Sequence, residues 1–291
     1  MAAAGALVER RDPEPGAWEM VSRAPEPRLR PYVRDYTGYV EQIDGLLRRR
    51  ELPSGDVILI VNLGAPLQVC HPRETTLSFG RGDGFVAGLH DTYAITEAVG
   101  AQRGIEVRLT PIGAYLFLGL PMHAVANRTV RLEDVIGSAA RELADRIEAA
   151  PSWDACFDLL DARIGARVAA ARAPSAGVAH AWSRLLDTGG RLEIGALADE
   201  VGCSRKHLIA LFRNQIGLPP KTVARIARFS RAVHQLGGPL GARWAEVAHE
   251  SGYYDQAHLI RDFRQFTGTT PTDFLRRRHG DSEASMTEPP G

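Results

Sequence analysis

The sequence predicts an α+β chain of two domains. A small β-barrel or sandwich with helices at its C-terminal end comes first, and an all-α domain made of two copies of one unit joined by a long helix follows. Three observations lead there. Apolar residues recur with a period near two as far as Pro111 and near 3.6 beyond it. The last hundred or so residues repeat themselves at an offset of 50, which marks an internal duplication. Charge is divided between the halves: Met1 to Pro174 carries 20 basic and 23 acidic residues, Ser175 to Gly280 carries 15 and 9, and the last eleven residues add three acids. A basic segment joined to a slightly acidic one is what a nucleic-acid-binding module attached to a separate domain looks like.

In chain order, residues 1–16 interleave charges and prolines and are expected to be disordered. From about Trp18 the chain reads as short strands bounded by Gly, Pro and Asp. DVILIVNL (Asp56 to Leu63) is a β-branched run after the turn signal Pro53-Ser54-Gly55, and TYAITEAV (Thr92 to Val99) and GIEVRLTP (Gly104 to Pro111) alternate apolar with polar as two separate strands. Gly80 to Gly84 reads as a glycine turn between strands; a phosphate-binding loop needs a strand-loop-helix setting and a Lys-Ser/Thr ending that are missing here. Helices are expected over Leu132 to Gly137, over Ser138 to Ala150, and from Trp153 to about Arg172. The last carries a stripe of Trp153, Cys156, Phe157, Leu160, Ile164 and Val168, read as packing on its own domain rather than as a dimer seam. Ala171 to Gly177 reads as a linker.

Several function classes drop out. No apolar run approaches the roughly 20 residues that span a bilayer, so no membrane partner and a cytoplasmic location are expected. Cys70, Cys156 and Cys203 are far apart and in no CxxC pairing, which indicates neither a disulfide framework nor a cysteine zinc site. His71, His90 and His123 are scattered, with no His-x-His to begin an iron site, and Cys70-His71 reads as structural rather than as a thiol sensor. There is no Gly-x-Ser-x-Gly elbow. The chain is expected to be no enzyme, with no catalytic residue, no metal and no cofactor.

The duplicated part carries the chemistry. LADEVG (Leu197 to Gly202) lies over VAHESG (Val247 to Gly252), and after one inserted residue HLIALFRNQIGLPP (His207 to Pro220) lies over HLIRDFRQFTGTTP (His258 to Pro271) with seven of fourteen positions identical. Each copy is a short helix, a glycine, a turn and a longer helix: a helix-turn-helix. In the first, Ile194, Leu197, Ala198 and Val201 form an apolar face that stops at Gly202, and Ser204 is placed to N-cap the next helix. That helix buries Leu208, Leu211 and Phe212 and turns Arg205, Lys206, Ile209 and Arg213 outward. In the second, Trp244, Val247 and Ala248 face inward, Asp255 is the cap, Leu259 and Phe263 are buried, and Gln256, Ile260, Arg261 and Arg264 face outward. One such face reads equally well as an ordinary basic helix surface. It also suits a major groove, where Arg pairs bidentately with guanine and Gln with adenine.

Two such units, joined by PKTVARIARFSRAVHQL (Pro220 to about Leu236) and each ending in Gly-x-x-Pro, closely resemble the C-terminal domain of AraC/XylS-family transcriptional regulators. The string WAEVAHESGYYDQAHLIRDFRQFTGTTPTDFLRRR (Trp244 to Arg278) carries the likeness, with Gly252-Tyr253, Gln256, Phe263, Gly268, Pro271 and Phe274 at its marked positions. More loosely, LPSGDVILIVNLG (Leu52 to Gly64) and RLTPIGAYLFLGLP (Arg108 to Pro121) resemble the barrel-like sensor domains of one branch of that family.

The resemblance implies a sensor or dimerisation domain over 17–172, a linker over 173–179, a DNA-binding domain over 180–279 and a disordered tail over 280–291. It implies base contacts from Arg205, Lys206, Ile209, Ala210, Gln256, Ile260 and Arg261, with phosphate contacts from Arg213 and Arg264 and with Ser204 at the DNA-facing cap. Ala210 departs from the pattern: family members often have a long polar side chain there, and its duplicate is Arg261. The implied partners are double-stranded promoter or operator DNA, a small-molecule effector, and RNA polymerase if the protein activates; a homodimer stays open. For the N-terminal half, a ligand pocket inside the barrel is favoured over a domain that only dimerises.

Overall fold

The computed structural model describes residues 7–11, 18–72, 74–235 and 244–280. The N-terminal half is built on nine antiparallel strands: β1 (Leu7–Arg11), β2 (Trp18–Arg23), β3 (Val33–Glu51), β4 (Val57–Asn62), β5 (Leu67–Cys70), β6 (Leu77–Phe79), β7 (Gly84–Ala87), β8 (Ala94–Leu109) and β9 (Thr129–Arg131). They are ordered β1-β2-β3-β8-β4-β7-β9, and the β5–β6 hairpin joins the sheet at β8. The two halves of β8 have different neighbours, β5 at Ile95–Ala98 and β4 at Gly104–Leu109.

The strands expected over 92–99 and 104–111 are a single strand. Gly100 (φ 78°) does not turn the chain back, because Gly45 (φ 93°) lies close by on β3, where the β3–β8 register slips between Ile43 and Leu46. Two glycines that accept left-handed backbone let both strands kink without breaking their ladder. A second correction concerns the N-terminus: residues 7–11, within the stretch expected to be disordered, pair with β2 from Leu7↔Ser22 to Arg11↔Trp18. Backbone pairing to a sheet edge needs no apolar pattern, so composition alone misses it. Residues 1–6 and 12–16 of that stretch lie outside the described residues.

One face of the sheet (Leu59, Val61, Ile105, Val107, Leu109) is covered by α1 (Pro111–Leu118), α2 (Leu132–Ile136), α3 (Ala139–Glu148) and α4 (Trp153–Ala170). α1 starts where Thr110 Oγ1 accepts the Gly113 N–H at 3.0 Å, with Pro111 in its first turn. The α4 stripe packs on its own sheet. Cys156, Phe157, Leu160 and Ile164 are buried, Phe157 stacks on Tyr36 at 5.8 Å, and the Trp153 ring occupies the space a Cβ would need at Gly38. Ile60, Val69, Phe79 and Phe85 fill a second cluster between the strands.

The C-terminal half is α5 (Ala176–Asp187), α6 (Ile194–Val201), α7 (Arg205–Gln215), α8 (Pro220–Gln235), α9 (Trp244–Glu250), α10 (Gln256–Thr267) and α11 (Pro271–Gly280). α5 opens inside the stretch read as linker. Gly177 is there for closeness rather than flexibility, since a Cβ on it would meet Val201 Cγ1 at 2.6 Å. α8 is the expected long helix; Leu236, where it was expected to end, and the tail from Asp281 lie outside the described residues.

The halves are docked. Their buried side chains form one continuous apolar cluster, and α7 packs on α1 and on the short turn Met122–Ala124. At the other unit Gln265 Nε2 donates to the Asp91 carbonyl at 3.1 Å, Thr92 Oγ1 donates to the Gln265 carbonyl at 3.2 Å, and Arg50 donates to the Thr267 carbonyl.

Candidate nucleic-acid interface

Both units are built as their residues dictate. α6 stops at Gly202, whose φ of 70° a side chain would resist, and Ser204 Oγ then accepts the His207 N–H at 3.2 Å to start α7. α9 ends before Gly252 (φ 83°), and Asp255 Oδ1 accepts the His258 N–H at 2.7 Å to start α10. Leu208 and Phe212 anchor α7, and Leu259, Phe263 and Phe266 anchor α10. Leu211 is half-buried rather than fully inside, as is Trp244.

The opposite faces are open. Ser204, Arg205, Lys206, Ala210 and Arg213 on the first unit and Gln256, Arg261 and Arg264 on the second are exposed, while Ile209 and Ile260 are half-buried. Among the described residues no ion pair or side-chain hydrogen bond engages Arg205, Lys206, Arg213, Gln256, Arg261 or Arg264. Six long polar side chains are thus left for an outside partner. Arg205 differs from the rest: its guanidinium rests against Gly195 on α6, where it leaves no room for a Cβ.

The sequence reading passed over the residues that hold the units together. Arg225 on α8 pairs with Asp262 on α10 at 2.6 Å. Arg228 donates to the Gly190 carbonyl at 2.5 Å and lies 5.6 Å from the centre of the Tyr253 ring, and Arg191 donates to the Glu250 carbonyl. Burial and the nearby Asp262 charge push the Tyr253 phenol well above its ordinary range, so it stays neutral. Asp262 was readable: it stands where the first unit has Leu211, a polar group at a core position of the repeat. Tyr254 was also missed. It is 94% exposed, on the turn just before the α10 cap.

Two histidines expected to be scattered are together. His71 and His90 stack at 4.3 Å, and His71 Nε2 is 2.8 Å from Thr129 Oγ1. Burial lowers both pKa values, that of His90 to about 4. Among the described residues no group of three His, Cys, Asp or Glu side chains stands close enough to hold a metal.

A helix-turn-helix domain family matches residues 197–277, a span that takes in both units and the helix between them. The chain carries an AraC-type helix-turn-helix domain at its C-terminal end. Its AraC-type domain makes it a DNA-binding transcription regulator. Residues 22–131, the strand-built half, match a family described as a domain of unknown function. Among solved structures, ToxT from Vibrio cholerae O395 is 9% identical, with 80% of this chain and 96% of that one covered at a TM-score of 0.46. The C-terminal domain of AraT, a response regulator from Geobacillus stearothermophilus, is 20% identical over 35% of this chain and 85% of its own, at 0.33. A DNA-binding transcriptional dual regulator from Escherichia coli K-12 is 24% identical over 33% and 96%, at 0.29. No curated protein matches the chain. Among the described residues no helix is long and apolar enough to cross a membrane.

Proposed function

We propose that the protein binds a specific DNA site through α7 and α10 and controls transcription from it in response to a small-molecule effector that the N-terminal domain senses. The observation that carries the reading is the pair of open faces: two N-capped helices on one scaffold, each presenting polar side chains that nothing in the fold uses. Arg261 and Gln256 read bases from α10. Lys206, Arg205, Ile209 and Ala210 read from α7, with Ala210 limited to apolar contact such as a thymine methyl. Arg213 and Arg264 take phosphates, and Ser204 sits at the DNA-facing end of α7.

Control by the N-terminal domain is supported by the seam, because the Gln265–Asp91 and Arg50–Thr267 bonds reach the C-terminal end of α10 itself. The protein works in the cytoplasm and has no catalytic role in this reading. Selection of bound DNA from a random pool tests it. Recovery of one site with two half-elements is the expected result; a pool without sequence preference overturns it.

A further inference from the structure

Where the two domains meet, a cleft of about 540 Å³ opens between the turn before β4 and helices α5 and α8. Its floor is apolar and drawn from both sides: Leu89 from the N-terminal half, Trp182 from α5, and Val223 and Ile226 from α8. Trp182 and Leu186 approach Gly55 closely enough that a Cβ there would sit 3.8 to 4.0 Å from their side chains. Ile60, Val69, Phe79 and Phe85 pack together between the strands, away from this cleft's lining.

The walls of the cleft are cationic. Arg34 and Arg108 line it from the sheet and Arg231 from α8, against a single lining carboxylate, Asp56. That carboxylate is already used, since it accepts from Arg34 Nε at 3.3 Å and from Arg108 Nη2 at 2.7 Å. Arg108 also meets Asp35 at 3.2 Å. Arg231 is different. It lies exposed beside Gly189, and among the described residues no acid pairs with it.

We infer that this interdomain cleft binds a small organic anion, with a flat apolar body on the Leu89–Trp182–Ile226 floor and its one carboxylate, sulfonate or phosphate group on Arg231. The volume lies within the range of sites for such molecules, and a charge-assisted hydrogen bond at the rim of an apolar pocket fixes orientation as well as affinity. The site is complete only while the domains are docked, so its occupant favours that arrangement over any other. Its regulatory consequence rests on the effector reading above; the binding itself does not.

The test uses the full chain and two fluorescent probes that differ only in charge, dansylglycine and its neutral amide, dansylglycinamide, read by energy transfer from Trp182. Dansylglycine is expected to bind one per chain about tenfold more tightly than the amide, the effect of one charged contact at roughly 1.4 kcal/mol. Arg231→Gln, at an exposed position, should bring the two probes level, and Ala227→Phe should exclude both. Trp182→Phe should remove most of the transferred emission while directly excited dansyl fluorescence still shows binding. Equal affinities for the two probes in the unaltered chain, or dansylglycine binding unchanged by both Arg231→Gln and Ala227→Phe, overturns the site. DNA affinity measured with and without dansylglycine separates the two ideas: Arg231-dependent binding with no effect on DNA keeps the site and overturns its regulatory role.

Discussion

Arg225 and Asp262 lock α10 to α8, the helix that joins the two units. Arg225 Nε and Nη2 both donate to Asp262 Oδ1, at 3.0 and 2.6 Å, and Nη2 also donates to Gln265 Oε1 at 2.7 Å. The Asp262 side chain is 2% exposed and its Oδ2 has no partner among the described residues, so Arg225 supplies its direct charged hydrogen bonds while Arg228 acts on it only through its charge. Arg225→Met should therefore cost about 3 kcal/mol in urea unfolding, because an unpaired buried carboxylate is left behind. Adding Asp262→Leu, which restores the residue type found at Leu211 in the first unit, should recover most of the loss. A double variant as unstable as the single one would mean that the pair is not the source.

The outward residues of α10 are expected to divide by role. Arg261→Ala should cost roughly 1 to 3 kcal/mol on the selected site and relax the preference at one base pair. Arg264→Ala should weaken all sequences alike and reduce the salt dependence of binding by about one phosphate contact. Quantitative gel retardation on the selected site and on single-base variants, repeated across salt concentrations, checks both. Equal and uniform losses in the two variants would remove the distinction between base and phosphate contacts.

Much of the C-terminal domain is legible in the sequence because its signals are local. Ser204 and Asp255 cap helices that begin at the next residue, Gly202 and Gly252 mark turns, and the duplication checks each assignment against its copy. β3 is not legible. Its 19 residues include VEQIDGLLRRRE, which has no steady alternation, and its partner β8 lies more than forty residues away in the chain. The same limit hides the His71–His90 stack and the docking of Gln265 on Asp91, since both join segments that no local pattern links. Of the candidate site, the outward faces of α7 and α10 could be read as exposed, whereas the roles of Arg225, Arg228 and Arg191 could not: an arginine that fastens two helices looks the same in a sequence as one that faces solvent.

Stability should depend on pH from two sides. Burial raises the Glu106 carboxyl on β8 to about 7, with the Glu51 charge adding to the shift and Arg108 opposing it. A carboxyl whose folded pKa lies above its unfolded one contributes stability that is complete below about 4.5 and is lost as pH rises through 7. Burial and the neighbouring His71 lower His90 to about 4, so its contribution is present above about 6.5 and is lost as pH falls toward 4. The two windows overlap, and between about pH 4.5 and 6.5 their opposite slopes cancel, so thermal melts from pH 4 to 9 should show a plateau there with a fall on either side. Glu106→Gln should flatten the alkaline limb and add roughly 1 to 3 kcal/mol at pH 8 while leaving the acid limb in place. An alkaline limb unchanged by that substitution would assign it to another group.

The spacing of the DNA site follows from α8. Its 16 residues span about 24 Å at 1.5 Å per residue. Arg225 to Asp262 ties it to the second unit and Arg228 to Gly190 ties it to the turn before the first, which favours a stiff spacer over a hinge. With the turns at its ends it is expected to set α7 and α10 about one DNA turn apart, roughly 34 Å, so the half-elements should lie about ten base pairs apart on one face of the duplex, bent if need be to meet both helices. Five extra base pairs rotate one groove to the far side, so footprinting on such a site should show protection by one unit only and a large loss of affinity. Full protection of both half-elements at the longer spacing would show that α8 does not hold the units rigidly, and a footprint of a single groove segment on the natural spacing would show that α10 engages DNA alone.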